Sequence, residues 1–197
     1  GHTAVWRSGE LRTRRYWQLK FSTDCNKSVD YYRDGLLHHL EEAVRLHLVS
    51  EVPLGSFLSG GIDSSIITTC AAKHVPNLNT FSIGYKDEPH FDETYYANLV
   101  AQKNKTNHTV FSISGNEMLQ HITDILDYID EPFADSSAIA VYILSMHTRK
   151  KVTVALSGDG GDELFAGYNK HRAEQMARAN TWLNTVLKFS GSFFETL

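Results

Sequence analysis

Two loops concentrate the residues able to do chemistry. The first, Ser59-Gly60-Gly61-Ile62-Asp63-Ser64-Ser65, follows the short apolar run Leu54 to Leu58 and leads into a segment that is helical by composition. Its glycines let the backbone turn tightly and let a ligand approach with no Cβ in the way. Amides at a helix N-terminus, with the hydroxyls of Ser59, Ser64 and Ser65, make an anion site of the kind that holds phosphate. Asp63 puts a carboxylate beside those phosphate oxygens, which is repulsive unless a divalent cation bridges them, so the loop predicts Mg²⁺. It has no lysine and is too short for GxxxxGKS/T, and it is not GxGxxG, which disfavours those two nucleotide classes. Plain turn formation and helix capping is the structural alternative.

The second loop is Leu156-Ser157-Gly158-Asp159-Gly160-Gly161-Asp162-Glu163-Leu164-Phe165-Ala166-Gly167-Tyr168, with Asp159, Asp162 and Glu163 within five residues. Acids in the first turn of a helix complement its dipole, each by a few tenths of a kcal/mol or so. The interleaved Gly160 and Gly161 argue for more, since they cost backbone entropy that a plain helix start does not require, and they shape a loop that approaches a ligand.

Both loops need elements that aim them. A Ser8-Gly9 turn between Ala4 to Trp6 and Leu11 to Leu19 predicts a hairpin, and Ser22 to Ser28 a linker. A helix from about Asp30 to Leu48 would carry Leu36, Leu40, Val44 and Leu48 on one stripe. Strands are expected at Leu54 to Leu58, Asn79 to Tyr85, Thr109 to Ile113 and Val152 to Leu156. Between them lie predicted helices at Ser64 to His74, at Asp92 to Lys103 capped by Asp92, from a Ser114/Glu117 capping box to about Ile129, and from Ser137 to about Lys150. Final helices are expected over Ala173 to Leu197. Strands apolar on both faces that alternate with helices imply an α/β fold, a doubly wound, mostly parallel sheet with helices on both faces. Ligands bind such sheets at the carboxyl ends of the strands, where both loops fall.

Composition, 42% hydrophobic and 21% charged over 197 residues, is that of a globular chain with room for one main domain. No apolar run approaches the ~20 residues that span a bilayer, and no signal-peptide order opens the chain, so the expected address is the cytoplasm. Cys25 and Cys70 read as ordinary reduced thiols, and the ten histidines show no metal-ligand spacing. A net charge of −4 argues against a broad nucleic-acid surface. The hairpin region is the exception, with Arg7, Arg12, Arg14, Arg15 and Lys20 against Glu10, read as a solvated hairpin rather than a polyanion arm.

The first loop resembles the SGGxDS signature of the PP-loop ATP-pyrophosphatases, in which the cradled group is the leaving pyrophosphate. With the second loop, Phe81-Ser82-Ile83-Gly84-Tyr85, Phe91-Asp92-Glu93 and Asp130-Glu131-Pro132-Phe133-Ala134-Asp135 in the same order, the chain from Ser28 to about Arg172 resembles the synthetase domain of glutamine-hydrolysing asparagine synthetases. The resemblance implies an adenine-nucleotide alpha-hydrolase-like fold. It also implies a C–N ligase reaction in which aspartate's carboxylate attacks ATP, giving β-aspartyl-AMP and pyrophosphate, and ammonia from glutamine then displaces AMP. By that resemblance Leu58, Ser59, Gly60, Gly61, Asp63, Ser64, Ser157 and Gly158 bind ATP, and Ile83 lies against adenine, although an apolar strand residue is ordinarily core. Asp63 and Asp162 are the implied Mg²⁺ ligands. Asp159 matches an acidic position tied to formation of the acyl-adenylate, with Glu163 beside it. Asp92 and Glu93 have a capping alternative and Asp130 to Asp135 a turn alternative. Ser136 and Ser137 stand where some members carry an arginine.

The resemblance further implies that residues 1–27 are a hairpin and linker belonging to a glutaminase domain otherwise absent, and that 28–197 are the first part of the synthetase domain, continuing beyond Leu197. The chain is therefore expected to be a fragment that binds ATP weakly at best and does not itself make asparagine from glutamine, with Trp182, Leu183, Val186, Leu187, Phe189, Phe193 and Phe194 as a patch that drives self-association. Two alternatives stay open: a sister synthetase that adenylates another carboxylate, as in β-lactam formation, and a nucleotide-binding module without turnover.

Overall fold

The computed structural model describes residues 1–20, 26–131 and 133–178. The chain divides into two compact units, Gly1–His38 and His39–Leu197. In the first, β1 (His2–Arg7) pairs antiparallel with β2 (Glu10–Arg15). The turn takes positive φ at Ser8 and Gly9, as a two-residue hairpin requires. The boundary falls inside helix α1 (Val29–His47). Of its predicted stripe only the C-terminal half is covered: Val44 is buried and Leu48 packs beside it, whereas Leu36 is 40% exposed.

The larger unit holds one four-stranded, wholly parallel sheet in the order β5-β4-β3-β6. Its strands are β3 (Leu54–Phe57), β4 (Asn79–Tyr85), β5 (Asn107–Ile113) and β6 (Val154–Leu156). The connecting helices are α2 (Ile62–Ala72), α3 (Thr94–Asn104), α4 (Gly115–Gln120), α5 (Ile122–Tyr128) and α6 (Ser137–Thr148), followed after β6 by α7 (Gly161–Phe165) and α8 (Asn169–Arg178). A 3₁₀ turn, Pro89–Phe91, precedes α3.

Side-chain alternation sends the two sheet faces to different helices. Ser56 bonds Thr68 of α2 across a buried 3.1 Å contact, and Leu58 packs on Ala97 and Ala101 of α3. On the opposite face Phe81 stacks on Phe111, which stacks on His147 of α6. A second cluster, Val44, Cys70, Ala71 and Leu78, ties α1 to α2. The expected doubly wound α/β architecture is what the chain forms.

Several boundaries differ from expectation: α2 opens two residues early at Ile62, α3 two residues late at Thr94, and β5 two residues early at Asn107. The helix predicted from Ser114 to Ile129 opens on its capping box but breaks at His121, whose amide donates to Met118 and whose ring lies against Tyr142 of α6. β6 begins at Val154 because Val152 still closes the turn after α6, donating to Thr148, while Thr153 and Val154 donate to Pro53. α8 opens at Asn169, ahead of Ala173. Cys25 and the apolar patch from Trp182 to Phe194 lie outside the described residues. Among the described residues no helix is long and apolar enough to cross a membrane.

Candidate functional site

The strand order places the site. From β3 the chain winds one way to β4 and β5, then returns to add β6 on the other side of β3. Consecutive strands therefore run outward on one side of β3 while β6 is added on the other, and such a reversal of strand order opens a crevice at the carboxyl ends of β3 and β6. The loop after β3 and the loop after β6 are its two walls.

They meet closely. A Cβ placed on Gly158 would stand 2.6 Å from the Ser64 nitrogen, and one on Gly161 would stand 2.5 Å from the Asp63 carboxyl carbon, so only hydrogen at these positions lets the loops abut. Together they face a cavity of about 830 Å³. Ser59, Gly61, Asp63, Ser64, Ile83, Ser157, Gly158, Asp159, Asp162 and Glu163 all line it. Leu58 lines it as well, but the residue is wholly buried and packs on α3, so its side chain serves the core. Gly60 is the one implied ATP-binding residue outside the lining. Its φ of +93° and the crowding of its would-be Cβ by Ala97 and Tyr96 show it seating the loop on α3.

The first loop is knotted by its own hydroxyls. Ser59 Oγ and Ser64 Oγ are 2.9 Å apart, the Ser59 amide donates to Ser64 Oγ at 3.2 Å, and the Gly61 amide donates to Ser59 Oγ at 3.2 Å. The amides of Ile62, Asp63 and Ser64 open α2 and have no acceptor within the helix, which leaves the positive end of its dipole facing the cavity. In the second loop Ser157 Oγ donates to Asp159 Oδ2 at 2.9 Å. Tyr168 Oη donates to Glu163 Oε1 at 2.6 Å. That bond holds the Glu163 carboxyl below its usual range, and the adjacent carboxylate pushes the Tyr168 phenol up to about 12.

Five carboxylates line the cavity, those of Asp63, Glu93, Asp159, Asp162 and Glu163, and among the described residues no lysine, arginine or histidine does. A triphosphate cannot enter such a wall on helix amides alone. The donor set fits a hard divalent cation held by one or two carboxylates and completed by phosphate oxygens and water. Among the described residues no group of three or more His, Cys, Asp or Glu converges as an all-protein metal cage. Apolar residues form the remaining wall: Phe57, Phe81 and Ile83 from the sheet, Val141 and Leu144 from α6.

Sequence reasoning missed part of this lining. Phe81 shares a face with Ile83 by strand alternation, a signal present in the sequence, whereas Val141 and Leu144 are three apart on one helix face, a spacing that does not say what they line. Glu93 lines the cavity, whereas Asp92 accepts the Thr94 amide at 2.9 Å. The described residues from Asp130 to Asp135 are not part of that lining, although the Asp135 charge is felt by Tyr168, which is. Phe133, Ala134 and Asp135 line a separate cavity of about 210 Å³, and Asp135 accepts the Ser137 amide at the start of α6.

The asparagine synthase family model matches residues 35–195. Glutamine-hydrolyzing asparagine synthetase 1 of Bacillus subtilis (strain 168) is 38% identical over 167 residues, which are 83% of this chain and 26% of that protein. A putative glutamine-hydrolyzing asparagine synthetase 2 of Methanocaldococcus jannaschii is 38% identical over 164 residues, 82% of this chain and 31% of that protein. The chain thus spans about a quarter to a third of the length of these relatives. The solved NMN synthetase of Francisella tularensis overlaps with a TM-score of 0.43 and 17% identity, over 73% of this chain and 59% of that one.

Proposed function

The chain belongs to the asparagine synthase family, and on that premise we propose that it carries the nucleotide site of a ligase that adenylates a carboxylate from ATP, releases pyrophosphate and passes the acyl group to ammonia. The observation that carries this reading is the meeting of a helix N-terminus with a carboxylate-lined loop across one switch-point cavity. The amides opening α2 receive the β- and γ-phosphates, the group that leaves. Asp63 and Asp162 hold Mg²⁺, which when bound neutralises the charge that develops on pyrophosphate. Ile83, with Phe57 and backed by the buried Phe81, offers adenine an apolar wall. Asp159, oriented by Ser157, stands where the carboxylate and α-phosphorus react, and Glu163, held by Tyr168, flanks it. Positioning and charge neutralisation, rather than covalent chemistry by the protein, account for the rate.

The finer assignment is aspartate as acceptor, β-aspartyl-AMP as intermediate and asparagine as product, with ammonia supplied by glutamine hydrolysis outside this chain. Its support is the identity of the relatives. Pyrophosphate release measured with ATP, Mg²⁺, ammonia and a panel of carboxylates should depend on aspartate. Release driven by a different carboxylate replaces aspartate with that acid, and absence of Mg·ATP binding by calorimetry overturns the nucleotide site itself.

A further inference from the structure

Behind the first loop, the face of the sheet that packs on α2 and α3 carries, besides Ser56, three polar side chains that meet one another: Thr80 and Ser82 on β4 and His108 on β5. Thr80 and Ser82 are 0% and 2% exposed, an environment in which an unpartnered polar group is costly. Both imidazole nitrogens are engaged: Nδ1 lies 2.9 Å from Thr80 Oγ1 and Nε2 lies 3.3 Å from Ser82 Oγ.

One distribution of protons satisfies the whole chain. The Leu58 carbonyl can only accept, so Ser82 commits its single proton there and accepts from Nε2–H of His108. Nδ1 then accepts from the Thr80 hydroxyl, whose oxygen accepts in turn from Thr106 Oγ1 at 2.8 Å. The imidazole is thereby assigned as the neutral Nε2–H tautomer. Burial lowers its proton affinity and outweighs a hydrogen bond to the Thr80 backbone that acts the other way, which keeps the ring neutral.

The far end of this chain is the peptide that opens the phosphate-facing loop. The Leu58 carbonyl is held by Ser82, and the N–H of the same peptide, on Ser59, donates to Ser64 Oγ at 3.2 Å. The plane is gripped on both edges, and Leu58's own amide is fixed to the Phe81 carbonyl at 2.8 Å.

We infer that His108 is a positioning residue for the first loop: acting through Ser82, it fixes the plane of the Leu58–Ser59 peptide and so aims the turn from Ser59 to Ser64 at the bound phosphate. Only the word phosphate rests on the function proposed above. The orientation of the peptide stands on the hydrogen bonds themselves.

Three variants of the intact protein separate the two. His108→Leu removes the donor to Ser82, His108→Gln keeps an N–H within comparable reach, and Ser82→Ala cuts the link while leaving the imidazole. Amide hydrogen exchange at Ser59, measured without nucleotide, should quicken about tenfold in His108→Leu and in Ser82→Ala, with β5 amides unchanged. His108→Gln should remain near wild type, and the double variant Ser82→Ala/His108→Leu should be no worse than either single change. Mg·ATP affinity should fall about tenfold in the same order, and ¹⁵N signals of the ring should report the Nε2–H tautomer. Unchanged Ser59 exchange in folded Ser82→Ala, or an Nδ1–H tautomer, overturns the inference. If His108→Leu fails to fold, Ser82→Ala, which deletes one oxygen, carries the exchange measurement alone. A wild-type protein that does not bind Mg·ATP overturns the proposed function, while the exchange data still decide the role of His108.

Discussion

The loop after β3 and the loop after β6 face the same cavity, yet the first spends two of its hydroxyls, those of Ser59 and Ser64, on itself while the second leaves Asp159 and Glu163 exposed. Ser59 and Ser64 are bonded to each other and to the loop backbone, and the Leu58 peptide beneath them is held by β4. Asp159 and Glu163 are exposed, each kept by a single hydroxyl partner. The difference follows from what each must receive. A pyrophosphate-sized anion of fixed shape rewards amides arranged in advance, whereas a reacting carboxylate, a cation and a departing nucleotide demand side chains able to adjust.

The glycines with positive φ offer the sharpest way to break this contrast. Gly60→Ala adds a Cβ 2.7 Å from the Ala97 amide nitrogen at a φ of +93°, so overpacking and backbone strain combine, and a loss of about 3 kcal/mol is expected. Gly160→Ala has nearly the same φ, +89°, but its Cβ would meet nothing within 4 Å, so only the left-handed strain remains, about 1 kcal/mol. Denaturant unfolding of the two variants measures the gap; equal losses would show the first loop to be no more rigidly seated than the second.

Binding sharpens the contrast next. Asp63→Asn should weaken Mg·ATP about tenfold by calorimetry, because it removes a charged ligand from the cation. Asp159→Asn should leave that affinity nearly intact and lower pyrophosphate release instead. A similar affinity loss in both variants would merge the two loops into one binding surface.

The smallest expected effect is titrational. In Glu163→Gln the Tyr168 phenol should drop from about 12 toward the ordinary value near 10, since the hydrogen bond to a charged acceptor, the largest cause of its rise, is lost while burial, Asp162 and Asp135 still hold it somewhat up. NMR titration of the Tyr168 ring reads this directly. No movement would mean that the two side chains do not hold each other.

Much of the fold was legible because its signals are local. The Ser114/Glu117 capping box, the β-branched strands and the glycine loops each announce themselves within a few residues. Strand order was not, since the addition of β6 beside β3 depends on contacts a hundred residues apart. Of the site, the two loops could be read and the wall contributed by α6 could not, because Val141 and Leu144 look like any buried helix pair until the sheet is laid against them. His108 was one of ten scattered histidines with no ligand spacing; its partners are cross-strand neighbours that no linear pattern marks. Tyr168 reaches back to Glu163 only because the chain reverses at Ala166, a non-glycine residue with φ of +58°.

The strand order has a cost in chain entropy. The bond that joins β4 to the end of β3 closes a loop of 24 residues, whereas the one that joins β6 to β3 closes 100. Closing the longer span requires about 1 kcal/mol more. Both junctions with β3 are secured by three paired residues, but β4 is also held by seven to β5, whereas among the described residues β6 has no second strand neighbour. The acid loop hangs from that short strand, so it is the part of the site tethered last as the chain folds and released first when the domain is strained.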